Sequence, residues 1–165
     1  MSEAELLAAS SNGIVAVRVR GRGTFKVSKQ LCRFAEEALD GGATGLIVDL
    51  GECTGMDSTF MGVLAMLGLK GREDTAFVVV NATPALRELL ETIGVARLWE
   101  FSSEAAPGGQ WSSICRAAAG AISIDGAAAT VLKAHQTLMQ IDPENVPRFE
   151  ALVRMLESEL NDNDQ

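Results

Sequence analysis

Residues 46–64 read LIVDLGECTGMDSTFMGVL, and this stretch predicts a buried strand, a short loop and the first turns of a helix. The strand is a short apolar run over residues 45–50, and glycines bound it on both sides. Beyond Thr59 the apolar residues recur at helical spacing, at Phe60, Val63, Leu64 and Leu67. Asp57 therefore falls where an N-cap belongs, and Ser58 falls in the first helical turn.

The Ser58 hydroxyl is the feature of this stretch that points to chemistry. At the start of a helix it lies beside free backbone N–H groups and the positive end of the helix dipole, which together favour a bound phosphate. The alternative is that Asp57 and Ser58 only cap the helix, because capping residues are common at such positions. Thr59 is a second candidate hydroxyl, although at the N2 position it can simply bond to the backbone.

The same stretch resembles the signature of the STAS domain, the family of sulphate-transporter C-terminal domains and anti-sigma factor antagonists. The likeness rests on Val48-Asp49-Leu50 followed by Met56-Asp57-Ser58-Thr59, and it extends in weaker form over residues 12–101. The resemblance implies an α/β fold with a small mixed β-sheet whose helices pack mainly on one face. It also implies that Ser58 is phosphorylated by a partner kinase, which is itself the anti-sigma factor, and that the unphosphorylated form binds that kinase.

The resemblance also suggests which residues would meet the partner. They form a docking rim around Ser58, namely Thr54, Gly55, Met56, Asp57, Thr59, Phe60 and Met61. The expected partners are a serine kinase of the histidine-kinase-like ATPase type, whose own ligand is ATP, and a metal-dependent serine phosphatase. No cofactor or metal is expected in this chain. The whole prediction requires an accessible Ser58 hydroxyl.

Two features depart from the family pattern. Phe60 stands where the family usually has glycine, and a bulky ring there could fill a groove in the partner or alter access by the kinase. The turn over residues 22–26 carries Arg22 and Lys26 where the family commonly has an acidic residue. A basic side chain in that turn could pair with a phosphate on Ser58, or it could be an ordinary solvated charge.

Along the rest of the chain, strands and helices alternate, as in a mostly parallel central sheet. The expected strands cover residues 14–19, 24–25, 45–50, 75–80 and 95–101, with the first two pairing as an antiparallel edge. Helices are expected over residues 28–39, from Ser58, and from Pro84 to Gly94, while residues 2–10 form a short helical lead or a loose end.

These elements divide into three parts. Residues 1–101 form the STAS-like domain and residues 102–126 a connector, which Trp111 and Ile114 attach to that domain. Residues 127–165 form a C-terminal helical hairpin with an acidic tail. The hairpin departs from the family, whose members end in one helix, and it is expected to fold onto the core or to pair with another subunit in a homodimer.

Composition limits the function further. The chain has 165 residues, 47% of them hydrophobic, and a net charge of −8, which argues against nucleic acid as a ligand. No apolar stretch reaches transmembrane length, and the acidic start lacks the basic region of a signal peptide, so no membrane insertion and a cytoplasmic location are expected. Three distant cysteines, Cys32, Cys53 and Cys115, are expected to be reduced and inert.

Catalysis is not expected. The G-x-S-x-G context of a nucleophile elbow is absent around Ser58, and the lone histidine, His135, lies in the C-terminal hairpin, where a packed residue is the simpler interpretation. Two alternatives to a phosphorylation switch stay open. One is a STAS scaffold or transport-accessory subunit that binds a fixed partner without phosphate, and the other is a STAS module that senses a small molecule in an apolar pocket.

Overall fold

A computed structural model describes residues 4–70, 75–103, 110–116 and 124–163. Over these ranges the chain forms six strands, β1 Glu5–Ser11, β2 Ile14–Gly23, β3 Gly45–Met56, β4 Ala76–Val80, β5 Glu100–Ser102 and β6 Ser112–Arg116. Its five α-helices are α1 Phe25–Asp40, α2 Ser58–Lys70, α3 Pro84–Thr92, α4 Ile124–Ile141 and α5 Val146–Asn163. Short 3-10 helices lie at Val95–Leu98 and Pro143–Asn145.

The strands form one mixed sheet, in the order β5-β4-β3-β2-β1-β6. Strands β2 to β5 are parallel, whereas β1 is antiparallel to both of its neighbours, β2 and β6. The parallel strands are connected through helices, as right-handed crossovers require. The mixed sheet expected from the resemblance is therefore confirmed.

The two faces of the sheet differ in character. Every second residue of β2 and β3 is buried in the core that also holds residues of α1 and α2, namely Val17, Val19, Leu46, Val48 and Leu50. The opposite face carries charged residues towards the carboxyl ends of these strands: Arg18 Nε lies 3.0 Å from Asp49 Oδ2, and Arg20 Nε lies 3.3 Å from Glu52 Oε1. Helices therefore cover mainly one face, as expected, and the wet face predicted for β2 carries ion pairs.

The edge of the sheet differs from the sequence prediction. Residues 5–11 form a strand and not a helical lead, so that interpretation was wrong. The strand returns through Asn12 and Gly13, whose φ angles of 53° and 82° are those of the two-residue turn that an Asn-Gly pair favours in hairpins. The antiparallel edge is therefore β1 with β2, and Ser112–Arg116, inside the stretch predicted as a connector, adds β6 to it.

A second correction concerns the start of α1. The short strand expected at Thr24 and Phe25 does not exist, because Thr24 is the N-cap of α1 and its side chain accepts a hydrogen bond from the Lys26 N–H. A side chain that satisfies a free N–H group in this way ends the strand and begins the helix. Likewise, the last expected strand is shorter: a 3-10 helix occupies Val95–Leu98 and β5 follows at Glu100–Ser102.

The C-terminal helices α4 and α5 form the predicted hairpin, and α4 packs across α1 and α2. The turn between them is fixed by Asn145, which is fully buried and donates to the main-chain carbonyls of Ile93 and Leu138 at 2.9 and 2.8 Å. Arg97 Nη2 also donates to the Ile141 carbonyl at 2.6 Å. These bonds attach the turn end of the hairpin to the segment after α3.

The hairpin approaches the core very closely at Gly62. A Cβ atom added there would lie 2.6 Å from both the Cβ and the carbonyl oxygen of Ala134. Two helices can approach so closely only where one of them lacks a side chain. Within the described ranges, none of the helices has the length and apolar character needed to cross a membrane.

Candidate functional site

The candidate site lies where β3 ends and α2 begins, and Asp57 organises it. Its Oδ1 accepts the Phe60 N–H at 2.9 Å, which is the bond of an N-cap, and the predicted cap is therefore confirmed. Its Oδ2 accepts the Phe25 N–H at 2.8 Å, and its own N–H donates to the Gly23 carbonyl at 2.9 Å. One carboxylate thus holds the amino ends of α1 and α2 together.

Ser58 is the first residue of α2 and is half-buried. Its Oγ lies 2.7 Å from Nε2 of His135, on α4. The other ring nitrogen of His135, Nδ1, lies 2.7 Å from the Val131 carbonyl oxygen. A carbonyl can only accept, so in the neutral imidazole Nδ1 carries the proton and donates to Val131, while Nε2 accepts from the Ser58 hydroxyl.

His135 is held firmly in this position. His135 is only 1% exposed, and its ring packs edge to face on Phe149 of α5, with ring centroids 4.9 Å apart. The preceding residue, Ala134, makes the close contact with Gly62 described above. The prediction that His135 is a packed residue of the C-terminal hairpin is confirmed, and the fold brings its ring to Ser58.

A serine hydrogen-bonded to a histidine is the arrangement that activates a serine nucleophile. Here the second nitrogen of His135 is held by a main-chain carbonyl of its own helix, where catalytic triads use a carboxylate. The ring is also closed off from solvent between α2, α4 and α5. We therefore interpret the Ser58–His135 bond as a contact that docks the hairpin on α2.

The docking rim predicted around Ser58 is only partly at the surface. Thr54 is exposed, and Gly55, Asp57 and Ser58 are half-buried. The remaining members are buried in this structure, namely Met56, Thr59, Phe60 and Met61. Three of the seven rim residues, Thr54, Gly55 and Asp57, are thus accessible beside Ser58, and we call these four residues the β3–α2 corner. The Ser58 hydroxyl itself is engaged by His135 of the hairpin, whereas the prediction required it to be accessible.

Phe60 has a structural explanation. Its residue is fully buried, and its ring lies against Gly23, where an added Cβ would be 2.9 Å from the ring atoms. The ring therefore fills the space beneath the junction of β2 and α1, made available by the missing side chain of Gly23. The basic turn before α1 lies nearby: the Arg22 side chain flanks Gly55, and both Arg22 and Lys26 are exposed.

Two cysteines lie in the described ranges with their side chains. Cys53, in β3, is buried, its Sγ donates to the Gly55 carbonyl at 3.3 Å, and burial raises the pKa of its thiol. Burial, with a smaller contribution from Glu36, raises the pKa of Cys32 to about 11. Both thiols are therefore protonated near neutral pH and poorly reactive. The side chain of Cys115 lies outside the described residues.

Other acidic side chains near the site are engaged in structural bonds. Asp49 is 4% exposed; besides Arg18, its carboxylate accepts the Gly51 N–H at 2.9 Å and the Asn81 amide at 3.2 Å. In the portion of the chain that the structure describes, no group of three or more His, Cys, Asp or Glu residues could hold a metal ion.

Comparison with known proteins agrees with this fold. A family model described as "Mlab, STAS domain" matches residues 7–101. An anti-sigma factor antagonist from Mycobacterium paratuberculosis has 21% identity and a TM-score of 0.56; the match covers 61% of this chain and 86% of that one. At this identity the likeness shows the fold alone.

Two further structures resemble the chain more loosely. The unphosphorylated form of the anti-sigma factor antagonist SpoIIAA has 18% identity and a TM-score of 0.49, over 62% of this chain and 89% of that one. The phosphorylated Bacillus SpoIIAA has 20% identity and a TM-score of 0.45, over 61% and 92%. None of the curated proteins compared with the chain matches it.

Proposed function

The chain belongs to the Mlab STAS domain family, and on that premise we propose that it is a protein–protein interaction switch of the anti-sigma factor antagonist type, controlled by phosphorylation of Ser58. The observation that carries the proposal is the position of Ser58. It is the first residue of α2, half-buried, in a corner that also presents Thr54, Gly55 and Asp57. A partner that docks on this corner would lie beside Ser58, whose Oγ is bonded to His135 of the hairpin in this structure.

The electrostatics of the corner explain why a phosphate on Ser58 would prevent a partner from binding there. A phosphoserine carries about −1.5 to −2 charges and three strong acceptor oxygens. The Asp57 carboxylate beside it already accepts the N–H groups of Phe60 and Phe25. The added charge therefore lies next to an existing negative charge, and it repels a partner that presents an acidic or apolar surface.

The partner of the proposed switch is an anti-sigma factor that is also a serine kinase of the histidine-kinase-like ATPase type. ATP is the ligand of that kinase and not of this chain, and a metal-dependent serine phosphatase would reverse the modification. In this proposal phosphorylation and dephosphorylation of Ser58 both take place in the cytoplasm. The proposal assigns this chain no catalytic step and no cofactor.

The test is incubation with a candidate anti-sigma kinase and ATP, followed by peptide mass spectrometry and a binding assay. We expect phosphate on Ser58, its loss in Ser58→Ala, and its retention in the matched control Ser103→Ala, which changes an exposed serine elsewhere. Phosphorylated protein should bind the kinase at least tenfold more weakly, which corresponds to ~1.4 kcal/mol. Phosphate on other residues alone, or binding that phosphorylation leaves unchanged, would refute the switch.

One observation favours a second candidate, a STAS scaffold or transport-accessory subunit that needs no phosphate. The Ser58 hydroxyl already has a partner in His135, as in a purely structural contact. In that case the corner would bind a fixed partner, and the affinity would be the same for Ser58→Asp as for the unaltered protein. The same binding assay therefore separates the two candidates.

A further inference from the structure

We propose that the α4–α5 hairpin is an autoinhibitory cover for Ser58: its docking on α2 and a phosphate on Ser58 exclude each other. This inference rests on the proposed function for its biological meaning, but its physical content can be tested without any kinase. It concerns a part of the chain that lies beyond the matched family region, since that region ends at residue 101.

The first argument is the space around the hydroxyl. The Ser58 Oγ lies at hydrogen-bonding distance, 2.7 Å, from Nε2 of His135. Phosphorus replaces the hydrogen that Oγ directs at Nε2, and along that line the 2.7 Å separation leaves no room for a phosphate. Close-packed interiors do not absorb a group of that size without moving their neighbours.

The second argument is the polarity of the contact. In the docked state the hydroxyl donates and Nε2 accepts, because Nδ1 donates to the Val131 carbonyl. Phosphorylation removes the donated hydrogen and leaves only acceptor oxygens on Ser58. A buried acceptor that has lost its donor costs about 1–3 kcal/mol, according to mutational series. The modification therefore removes the hydroxyl-donated hydrogen bond that holds the hairpin in this position.

A phosphate on Ser58 pushes the His135 ring away from α2. The ring cannot yield towards α5, because it packs edge to face on Phe149 with ring centroids 4.9 Å apart. The hairpin therefore makes room by moving off α2 as a unit. Its turn end is the natural pivot, because Asn145 is hydrogen-bonded to the Ile93 carbonyl and Arg97 to the Ile141 carbonyl.

The exclusion acts in both directions. A docked hairpin occupies the hydroxyl that a kinase must reach, so it slows phosphorylation, and a phosphate on Ser58 disfavours docking. Reciprocity of this kind is general for the two equilibria. The rate of phosphorylation depends instead on the fraction of molecules in which the hairpin is undocked and Oγ can be reached. A variant with a displaced hairpin should therefore be the better kinase substrate.

The decisive experiment installs phosphoserine at position 58 of the full chain during synthesis and measures amide hydrogen exchange. We expect the amides of α4 to exchange about tenfold faster or more, while those of β2 and β3 stay protected. The matched control is phosphoserine at exposed Ser103, which should leave α4 unchanged. Unchanged protection of α4, or faster exchange throughout β2 and β3, would overturn the proposal.

A second variant approaches the same contact from α2. Gly62→Ala places a methyl group 2.6 Å from Ala134 and should also speed exchange in α4, whereas Gly45→Ala, whose new methyl group meets its nearest atom at 3.4 Å, should not. With an active kinase, Gly62→Ala should be phosphorylated on Ser58 about tenfold faster. If no kinase modifies any variant, the proposed function fails, while the exchange data still decide whether the hairpin is a cover.

Discussion

A double-mutant cycle between Ser58 and His135 tests the contact on which the cover depends. Ser58→Ala leaves Nε2 of His135 without a donor at a site that is 1% exposed, which should cost about 1–3 kcal/mol of unfolding free energy. His135→Phe keeps an aromatic ring against Phe149 and leaves a half-buried hydroxyl unpaired, which should cost about 0.5–1.5 kcal/mol.

The double variant replaces both partners with apolar groups, a change that can be nearly neutral. We therefore expect it to be less destabilised than the sum of the single variants by about 1–2 kcal/mol. For a chain of this size each 1 kcal/mol shifts Tm by about 2–4 °C, so the non-additivity is readily measured.

The assay is urea unfolding followed by circular dichroism and by tryptophan fluorescence, whose coincidence establishes a single transition. Trp99 is a suitable reporter because its indole N–H donates to the Leu64 carbonyl of α2 at 2.9 Å. The control cycle combines His135→Phe with Thr83→Ala, which removes the separate N-cap of α3. In the control cycle we expect the two effects to add within ~0.5 kcal/mol. The same additivity in the Ser58 cycle would refute a stabilising Ser58–His135 bond.

Three further predictions follow from other contacts. Gly23→Ala places a methyl group 2.9 Å from the buried Phe60 ring, and urea unfolding should show a loss of about 1–3 kcal/mol; a neutral effect would contradict the packing given for Phe60. Asn145→Ala removes the side-chain hydrogen bonds to the Ile93 and Leu138 carbonyls and should speed amide exchange in α4 and α5 together, whereas faster exchange confined to one helix would contradict the anchored turn. Cys32, with a pKa of about 11 against the ordinary 9.0, should be alkylated by iodoacetamide at pH 8 roughly 100-fold more slowly than in the unfolded chain and faster as the pH rises; equal rates in the two states would contradict the raised pKa.

The strand–loop–helix unit over residues 46–64 was predictable because its signals are local. An apolar run between glycines, a capping aspartate and helical spacing each act within a few residues. The structure lengthens the strand to Met56, since β3 continues to pair with β2 as far as Gly23. That extension depends on pairing with the neighbouring strand β2. The spacing of apolar residues within 46–64 carries no information about such pairing.

The edge strand β1 could have been predicted from a local signal in the sequence. Asn12-Gly13 joins two runs of strand-forming residues, and Asn-Gly is the strongest short-range indication of a two-residue hairpin. Thr24 shows the opposite problem. A threonine followed by phenylalanine is typical of a strand by propensity, and only the capping bond to Lys26 decides for a helix.

The Ser58–His135 contact could not be predicted from the sequence. The two residues are 77 positions apart, and nothing in the spacing of either segment links them. The close approach that creates the contact depends on Gly62 facing Ala134. A glycine inside a predicted helix is one local indication that another backbone approaches closely, but it does not say which segment does so.

Asp57 explains why a phosphate on Ser58 would act on whatever covers the corner and would not be bound by the start of α2. At many helix starts a phosphate could be stabilised by free N–H groups, yet here Asp57 already accepts the N–H of Phe60 and that of Phe25 at the start of α1. The new charge would compete with a carboxylate for the same donors, and the phosphate would stand where the Ser58 hydroxyl now donates to Nε2 of His135. Because the phosphate would disturb both sets of contacts, its effect would fall on whatever covers the corner. In the isolated chain that cover is the hairpin, and in a complex it is the partner, so one modification would release either.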